Sequence, residues 1–140
     1  MTGVRATAVD TDAFSHLYVR LNSADSRVSE WRELLRGHRV LISFQTHAEL
    51  LTGAIGARWG ERRMAELRAI LDRTPTIRAD NEVIEAHASL AVACQRIGHG
   101  LQHRQHTGDR WVAACAIAKG VDLLAGDGIY VGAPGLSLLS

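Results

Sequence analysis

The sequence predicts an α/β protein, a three-layer sandwich in which a mostly parallel central sheet is flanked by helices. Three observations carry this. Short apolar runs alternate along the chain with longer stretches whose apolar residues recur at helical spacing, the pattern of strand–helix–strand units. At 140 residues the chain has the size of one domain and can bury roughly two-thirds of the surface its unfolded form exposes. Its composition, 46% hydrophobic and 22% charged, is ordinary for a globular protein and excludes a wholly disordered chain.

The elements are read in chain order. Residues 4–9 read as a first strand ending at Asp10, and 11–21 as a helix with Phe14, Leu17, Tyr18 and Leu21 on one stripe. Asn22 to Asp25 break the chain. Residues 26–36 form a second helix with Val28, Trp31, Leu34 and Leu35 inward and Gly37 as its stop. Residues 39–43 are the second strand and 44–57 the third helix, with Phe44, Ala48, Leu51 and Ile55 in line. Beyond Gly60, residues 61–73 repeat the helical pattern with Met64, Leu67, Ile70 and Leu71. Residues 74–79 make a short strand. Asp80 then caps a long helix to Ile97, its inner face Val83, Ile84, His87, Leu90, Ala91 and Cys94. A polar loop, 98–106, holds three histidines. Residues 107–119 are an alanine-rich helix stopped by Gly120, 121–125 an apolar strand, and 136–139 a candidate last strand. No repeat, low-complexity tract or linker divides the chain, so 1–140 reads as a single domain.

Composition also bounds the setting. The longest relevant apolar run, 111–118, falls well short of the ~20 residues that span a bilayer. The first residues lack a charged-then-apolar leader. Two cysteines, Cys94 and Cys115, are too few for a disulfide framework and read as small buried hydrophobes. A cytoplasmic protein with no membrane partner is expected. The net charge of +1 argues neither for nor against a nucleic-acid partner. Lys119 is the only lysine; every other basic residue is arginine, which grips phosphate through a planar fork, although a GC-rich genome accounts for most of that bias.

In open α/β sheets ligands bind outside the carboxyl ends of the strands. Asp10-Thr11-Asp12 stands after the first strand, and Glu49 lies one and a half turns into the helix after the second. Gly108-Asp109 opens the alanine-rich helix, and Gly126-Asp127 stands after the fourth strand. Each acid has a plainer reading alone: a helix cap for Asp10 or Asp12, a polar face for Glu49, a first-turn acid for Asp109, a turn for Asp127. Their joint occurrence at one sheet edge favours a site. Gathered carboxylates raise one another's pKa unless a cation joins them. Hard oxygen ligands of this kind suit Mg²⁺ or Mn²⁺, which can activate water against a phosphodiester.

These residues resemble a family over essentially the whole chain: PIN-domain ribonucleases, with the VapC-type toxins of bacterial toxin–antitoxin pairs nearest. The resemblance rests on four motifs. They are Val9-Asp10-Thr11-Asp12, Ser43 through Glu49 to Gly53, His106-Thr107-Gly108-Asp109-Arg110 with the alanine-rich run behind it, and Leu123-Leu124-Ala125-Gly126-Asp127-Gly128-Ile129-Tyr130. It implies a PIN-like sandwich in which Asp10, Glu49, Asp109 and Asp127 are both the catalytic residues and the holders of Mg²⁺ or Mn²⁺. It further implies hydrolysis of structured RNA such as tRNA or rRNA to 5′-phosphate and 3′-hydroxyl ends, a cognate antitoxin partner and a homodimer. The chain departs from the family pattern at Asp12, Gly108 and Ala125, none of them one of the four acids.

Around such a site Arg104, His106 and Arg110 are the candidates for contacting RNA phosphate, and Trp59 is the aromatic most exposed for stacking. His99, His103 and His106 invite a zinc reading but lack a convincing fourth ligand, although Cys94 is near in sequence, and a solvated or RNA-facing loop is favoured. Two alternatives remain. A non-catalytic PIN-like module would bind RNA or a partner without cutting. A haloacid dehalogenase-type phosphatase would use Asp10 as nucleophile and Asp12 as acid/base, but leaves Glu49 and Asp109 without roles.

Overall fold

The computed structural model describes residues 4–20 and 22–140. Four strands, β1 (Arg5–Val9), β2 (His38–Ser43), β3 (Thr76–Ile77) and β4 (Asp122–Leu124), form one parallel sheet in the order β3-β2-β1-β4. Ala8 pairs with Leu41 of β2 on one side and Leu123 of β4 on the other. Alternate residues of a strand face opposite sides of the sheet, and here neighbours divide between two cores. Ala8 and Leu123 pack with Val83, Leu90, Cys94, Val112 and Ala116. Val9 and Leu124 pack with Phe14, Leu17, Trp31, Leu50 and Leu67. The first core is covered by α5 (Asn81–Ile97) and α6 (Thr107–Lys119). The second is covered by α1 (Thr11–Phe14), α2 (Val28–Leu34), α3 (Phe44–Gly56) and α4 (Glu61–Asp72). The expected three-layer arrangement is the one observed.

Several expectations are corrected. The first helix changes at Ser15 into a π-helical turn, Ser15–Val19. That wider turn shifts the angular positions of its side chains, and Tyr18 is 42% exposed rather than inward; Leu21 lies outside the described residues. The second helix starts at Val28, because the Asp25 carboxylate accepts the Arg27 N–H at 2.9 Å and holds the preceding turn. Strand 74–79 shrinks to Thr76–Ile77, since Pro75 has no N–H to donate, although its carbonyl accepts from Ile42 at 3.1 Å. The inward face of α5 is Val83, Leu90 and Cys94, which turns Ile84 outward at 48% exposure. Ile55, near the end of α3, is likewise exposed. The polar loop contains two short 3-10 turns, Gly100–Gln102 and Arg104–His106. The last candidate strand reduces to one bridge, Leu138 against Leu123 on the free edge of β4.

Both cysteines are fully buried and unpaired, and burial pushes both thiols up, Cys115 to about 12. Among the described residues no helix is long and apolar enough to cross a membrane.

Topology fixes where a ligand can enter. The chain moves outward from β1 to β2 to β3, then crosses back to lay β4 on the opposite side of β1. The connections leaving β1 and β4 therefore diverge, and a crevice opens at their carboxyl ends. Asp10 ends β1, and Gly126-Asp127 lies just past β4.

Candidate active site

Asp10, Glu49, Asp109 and Asp127 line one cleft of about 600 Å³, together with Thr11, Asp12, Trp59 and Tyr130. Four acids far apart in sequence are thus brought to the crevice that the topology opens.

Asp10 is 2% exposed. Its own N–H continues the ladder to the Leu124 carbonyl at 3.0 Å, so the β1–β4 pairing sets its position. Oδ1 accepts from the Ala13 N–H at 2.8 Å and caps α1, while Oδ2 accepts from Gly126 at 2.9 Å and Asp127 at 3.2 Å. The cap reading and the site reading therefore meet in one side chain. Burial pushes the carboxyl up to about 6, against the pull of those three N–H groups and with some help from the nearby Asp12 charge.

This shift sets a pH dependence. A folded pKa raised above the unfolded value, ~3.9, means that only the folded chain holds the proton between the two, so stability falls as pH rises through about 6. Measured against Asp10→Asn by urea unfolding, the metal-free wild type should lose up to about 3 kcal/mol as pH rises from ~4 to ~7. A divalent cation should abolish the loss. A pH-independent difference would show that the N–H groups keep the carboxylate ionised throughout.

Glu49 is held by its neighbours: Thr11 Oγ1 donates to Oε1 at 2.5 Å and Gln45 Nε2 to Oε2 at 3.2 Å. α6 begins close by. A Cβ on Gly108 would stand 2.8 Å from Gln45 Nε2 and 3.2 Å from Glu49 Oε2, so the bare glycine lets the two helices approach. Asp109 comes next, in the first turn of α6, its Oδ2 accepting from His106 Nδ1 at 2.8 Å and its Oδ1 from the Tyr130 hydroxyl at 3.3 Å. Burial and the adjoining carboxylates hold the Tyr130 phenol well above its usual range, so it stays protonated and donates. Asp127 Oδ1 accepts from the Ile129 N–H at 3.0 Å and caps a 3-10 turn, leaving its other oxygen free of protein hydrogen bonds among the described residues.

Asp12 belongs to a different network. Arg27 donates to its Oδ2 at 3.3 Å, grips both oxygens of Asp25, and donates to the Gly126 carbonyl at 2.7 Å. Any Cβ on Gly126 would collide with Asp12 Oδ2 and come within 3.1 Å of the Ala13 nitrogen, so only glycine lets this segment reach Asp10. Asp12 thus shares Arg27 with Asp25, its closer partner, and its charge still acts on Asp10.

The donor set, all carboxylate oxygens with one of them buried and desolvated, fits a hard divalent cation. Among the described residues no three His, Cys, Asp or Glu side chains are gathered closely enough to form a metal cage. The histidine loop does not assemble around zinc. His99 donates from Nε2 to the Val131 carbonyl and accepts from the Leu101 N–H at Nδ1, and His106 is engaged by Asp109.

Of the residues expected to touch phosphate, Arg104 is exposed and makes no ion pair among the described residues, whereas Arg110 is corrected. At 9% exposure its guanidinium turns away from the cleft and donates to the carbonyls of Leu101 and His103 and to Thr107 Oγ1. Trp59 is half-buried rather than free. It lines the cleft with the Arg63 guanidinium 3.6 Å from its ring centre. Thr11, Gln45, Arg27 and Tyr130 are contributors that sequence reasoning does not assign. Thr11 and Tyr130 are signalled only as members of the motifs that carry Asp10 and Asp127.

A family model described as PIN domain matches residues 7–131. No curated protein matches. Among solved structures, a chain of VapBC2 from Rickettsia felis bound to a promoter DNA fragment aligns with TM-score 0.74 at 20% identity, covering 95% of this chain and 96% of that one. A chain of DNA-bound VapBC from Salmonella typhimurium gives 0.74 at 18% over 96% of both chains. One of VapBC-5 from Mycobacterium tuberculosis, a toxin–antitoxin system member, gives 0.65 at 21%, covering 96% of this chain and 97% of that one. At these identities the likeness is one of fold. The family match, in contrast, runs from Thr7 in β1 to Val131 past the last acid and takes in all four strands and the whole acidic cleft: this chain belongs to the PIN-domain family.

Proposed function

We propose that this chain, with 1–140 working as one PIN unit, is a metal-dependent endoribonuclease and the toxin of a toxin–antitoxin pair, acting in the cytoplasm. The observation that carries the reading is the convergence of Asp10, Glu49, Asp109 and Asp127 from four elements on one cleft at the carboxyl ends of β1 and β4. These four would hold Mg²⁺ or Mn²⁺. When bound, such an ion supplies positive charge against a phosphodiester and lowers the pKa of water. The chain's own part is placement. Three backbone N–H groups fix Asp10, and Thr11 with Gln45 fixes Glu49. In the hydrolysis, water oxygen bonds phosphorus as the bond to the 3′ oxygen breaks, and that oxygen takes up a proton, leaving 5′-phosphate and 3′-hydroxyl ends. Arg104, exposed on the loop leading into α6, would meet an RNA phosphate.

The same cleft points to the partner. Beside the acids, Val19, Leu50, Ala54 and Trp59 make an apolar flank. An antitoxin segment lying on it could extend an arginine to the carboxylates. The exposed Ile84 and Val92 on α5 leave apolar surface consistent with a homodimer. The phosphatase reading is disfavoured: it leaves Glu49 and Asp109, which line the same cleft, without roles, and Asp12 is paired with Arg27.

The test is incubation of antitoxin-free chain with total RNA in Mg²⁺ or Mn²⁺ against EDTA. Discrete 5′-phosphate fragments, formed only with metal, are expected. Intact RNA from a folded protein supplied with both ions would sink the nuclease and favour a binding module.

A further inference from the structure

Asp109 enters the cleft from the first turn of α6, and side chains from two other segments take its two oxygens. His106 lies 2.8 Å from Oδ2 and the Tyr130 hydroxyl 3.3 Å from Oδ1. An ionised carboxylate can only accept, so the imidazole donates from Nδ1. The shorter, His106 bond is the stronger constraint; Tyr130 alone would leave one oxygen free to swing.

His106 also stands at the N-cap position of α6, where a side chain ordinarily bonds the helix's free N–H groups. It makes no such bond; its ring goes to the acid instead. The turn that carries it is itself braced. Thr107 Oγ1 donates to the Arg104 carbonyl at 2.6 Å, and the Arg110 guanidinium holds the carbonyls of Leu101 and His103. His106 is therefore mounted on a fixed turn and aimed at Asp109 rather than at the helix end.

We propose that His106 is a positioning residue for the metal, fixing the Asp109 carboxylate in its ligating orientation with Tyr130 as the opposing contact. This rests on the cation reading of the acidic cleft. Partners that orient a ligating group from behind typically contribute 10–100-fold in metal affinity. His106 would act through Asp109, without touching RNA.

The test is Mn²⁺ titration of the metal-free full-length chain, read by electron paramagnetic resonance of the remaining free ion, with no substrate present. His106→Leu keeps the bulk and removes the donor; His106→Asn keeps a donor amide near the position of Nδ1. His106→Leu is expected to weaken Mn²⁺ binding by about tenfold or more. His106→Asn should remain within about threefold of wild type, because it restores the hydrogen bond. Melting of both metal-free variants within a few degrees of wild type would establish that the loss is not one of folding. If His106→Leu binds Mn²⁺ as tightly as wild type, or if both variants lose affinity equally, the positioning role is overturned while the metal site stands. If wild type itself takes up no Mn²⁺, the cation reading falls and the positioning role with it.

Discussion

Asp10→Asn is expected to remove metal-dependent RNA cleavage, with a loss on the order of 10³-fold or more. The carboxylate is buried and its two oxygens are spread between the start of α1 and the segment after β4. Asparagine keeps the size but removes the charge. Its amide nitrogen must also face either the Ala13 N–H or the pair on Gly126 and Asp127, whichever way it turns. The cation would lose its most firmly placed ligand. A second readout is independent of RNA. A ligand at 100 times its Kd stabilises the folded state by about 2.7 kcal/mol, so Mn²⁺ should raise the Tm of wild type but not of Asp10→Asn. Asp12→Asn is the matched control, and it should keep both cleavage and the Mn²⁺-induced rise because Arg27 occupies that carboxylate. A rise lost equally in Asp12→Asn would show that the wrong acid had been assigned to the ion.

The second large effect is on stability. Arg110→Met should lower the Tm of the metal-free chain by about 10 °C, corresponding to about 3 kcal/mol in a protein of this size. Methionine fills much of the aliphatic volume but donates nothing to the Leu101 and His103 carbonyls or to Thr107 Oγ1. A buried acceptor stripped of its partner, as the Leu101 carbonyl would be, costs about 1–3 kcal/mol, and the part-buried His103 and Thr107 acceptors cost less. Arg110→Lys should recover only part, because one ammonium cannot span a fork of acceptors on separate residues. Calorimetry decides it: a Tm for Arg110→Met matching wild type would mean the guanidinium does not brace this loop.

Arg110 also shows where sequence reasoning stops. It stands next to Asp109, and proximity along the chain makes it look like a phosphate contact. On an α-helix, however, successive side chains point about 100° apart, so when Asp109 faces the cleft its neighbour turns into the core. Three of the acids escape this ambiguity because Asp10 and Asp127 stand just past strands and Asp109 in the first turn of a helix, positions that a parallel sheet gathers at one edge, and Glu49 joins them from one and a half turns into α3. The His106–Asp109 contact spans three residues, and in that sense it is available from the sequence. Arg27 is not, because it reaches the Gly126 carbonyl across 99 residues, and only the return of β4 beside β1 joins them. The parallel sheet and its two-sided core are legible in the alternation of apolar runs with helical stripes. The outward turn of Tyr18 is not, since a single π turn leaves no mark in composition.

The double use of Asp10 constrains how this scaffold can age. Its carboxylate fastens the loop after β4 to the start of α1, a duty separate from any cutting of RNA. Among the described residues Glu49 and Asp109 are tied to distant segments only through side chains, and Asp127 accepts only a local N–H, so none of the three binds the backbone of a remote segment as Asp10 does. A lineage drifting toward inactivity would therefore shed those three first and keep Asp10 the longest, so a lone surviving aspartate after β1 is a fossil of architecture and not a sign of catalysis.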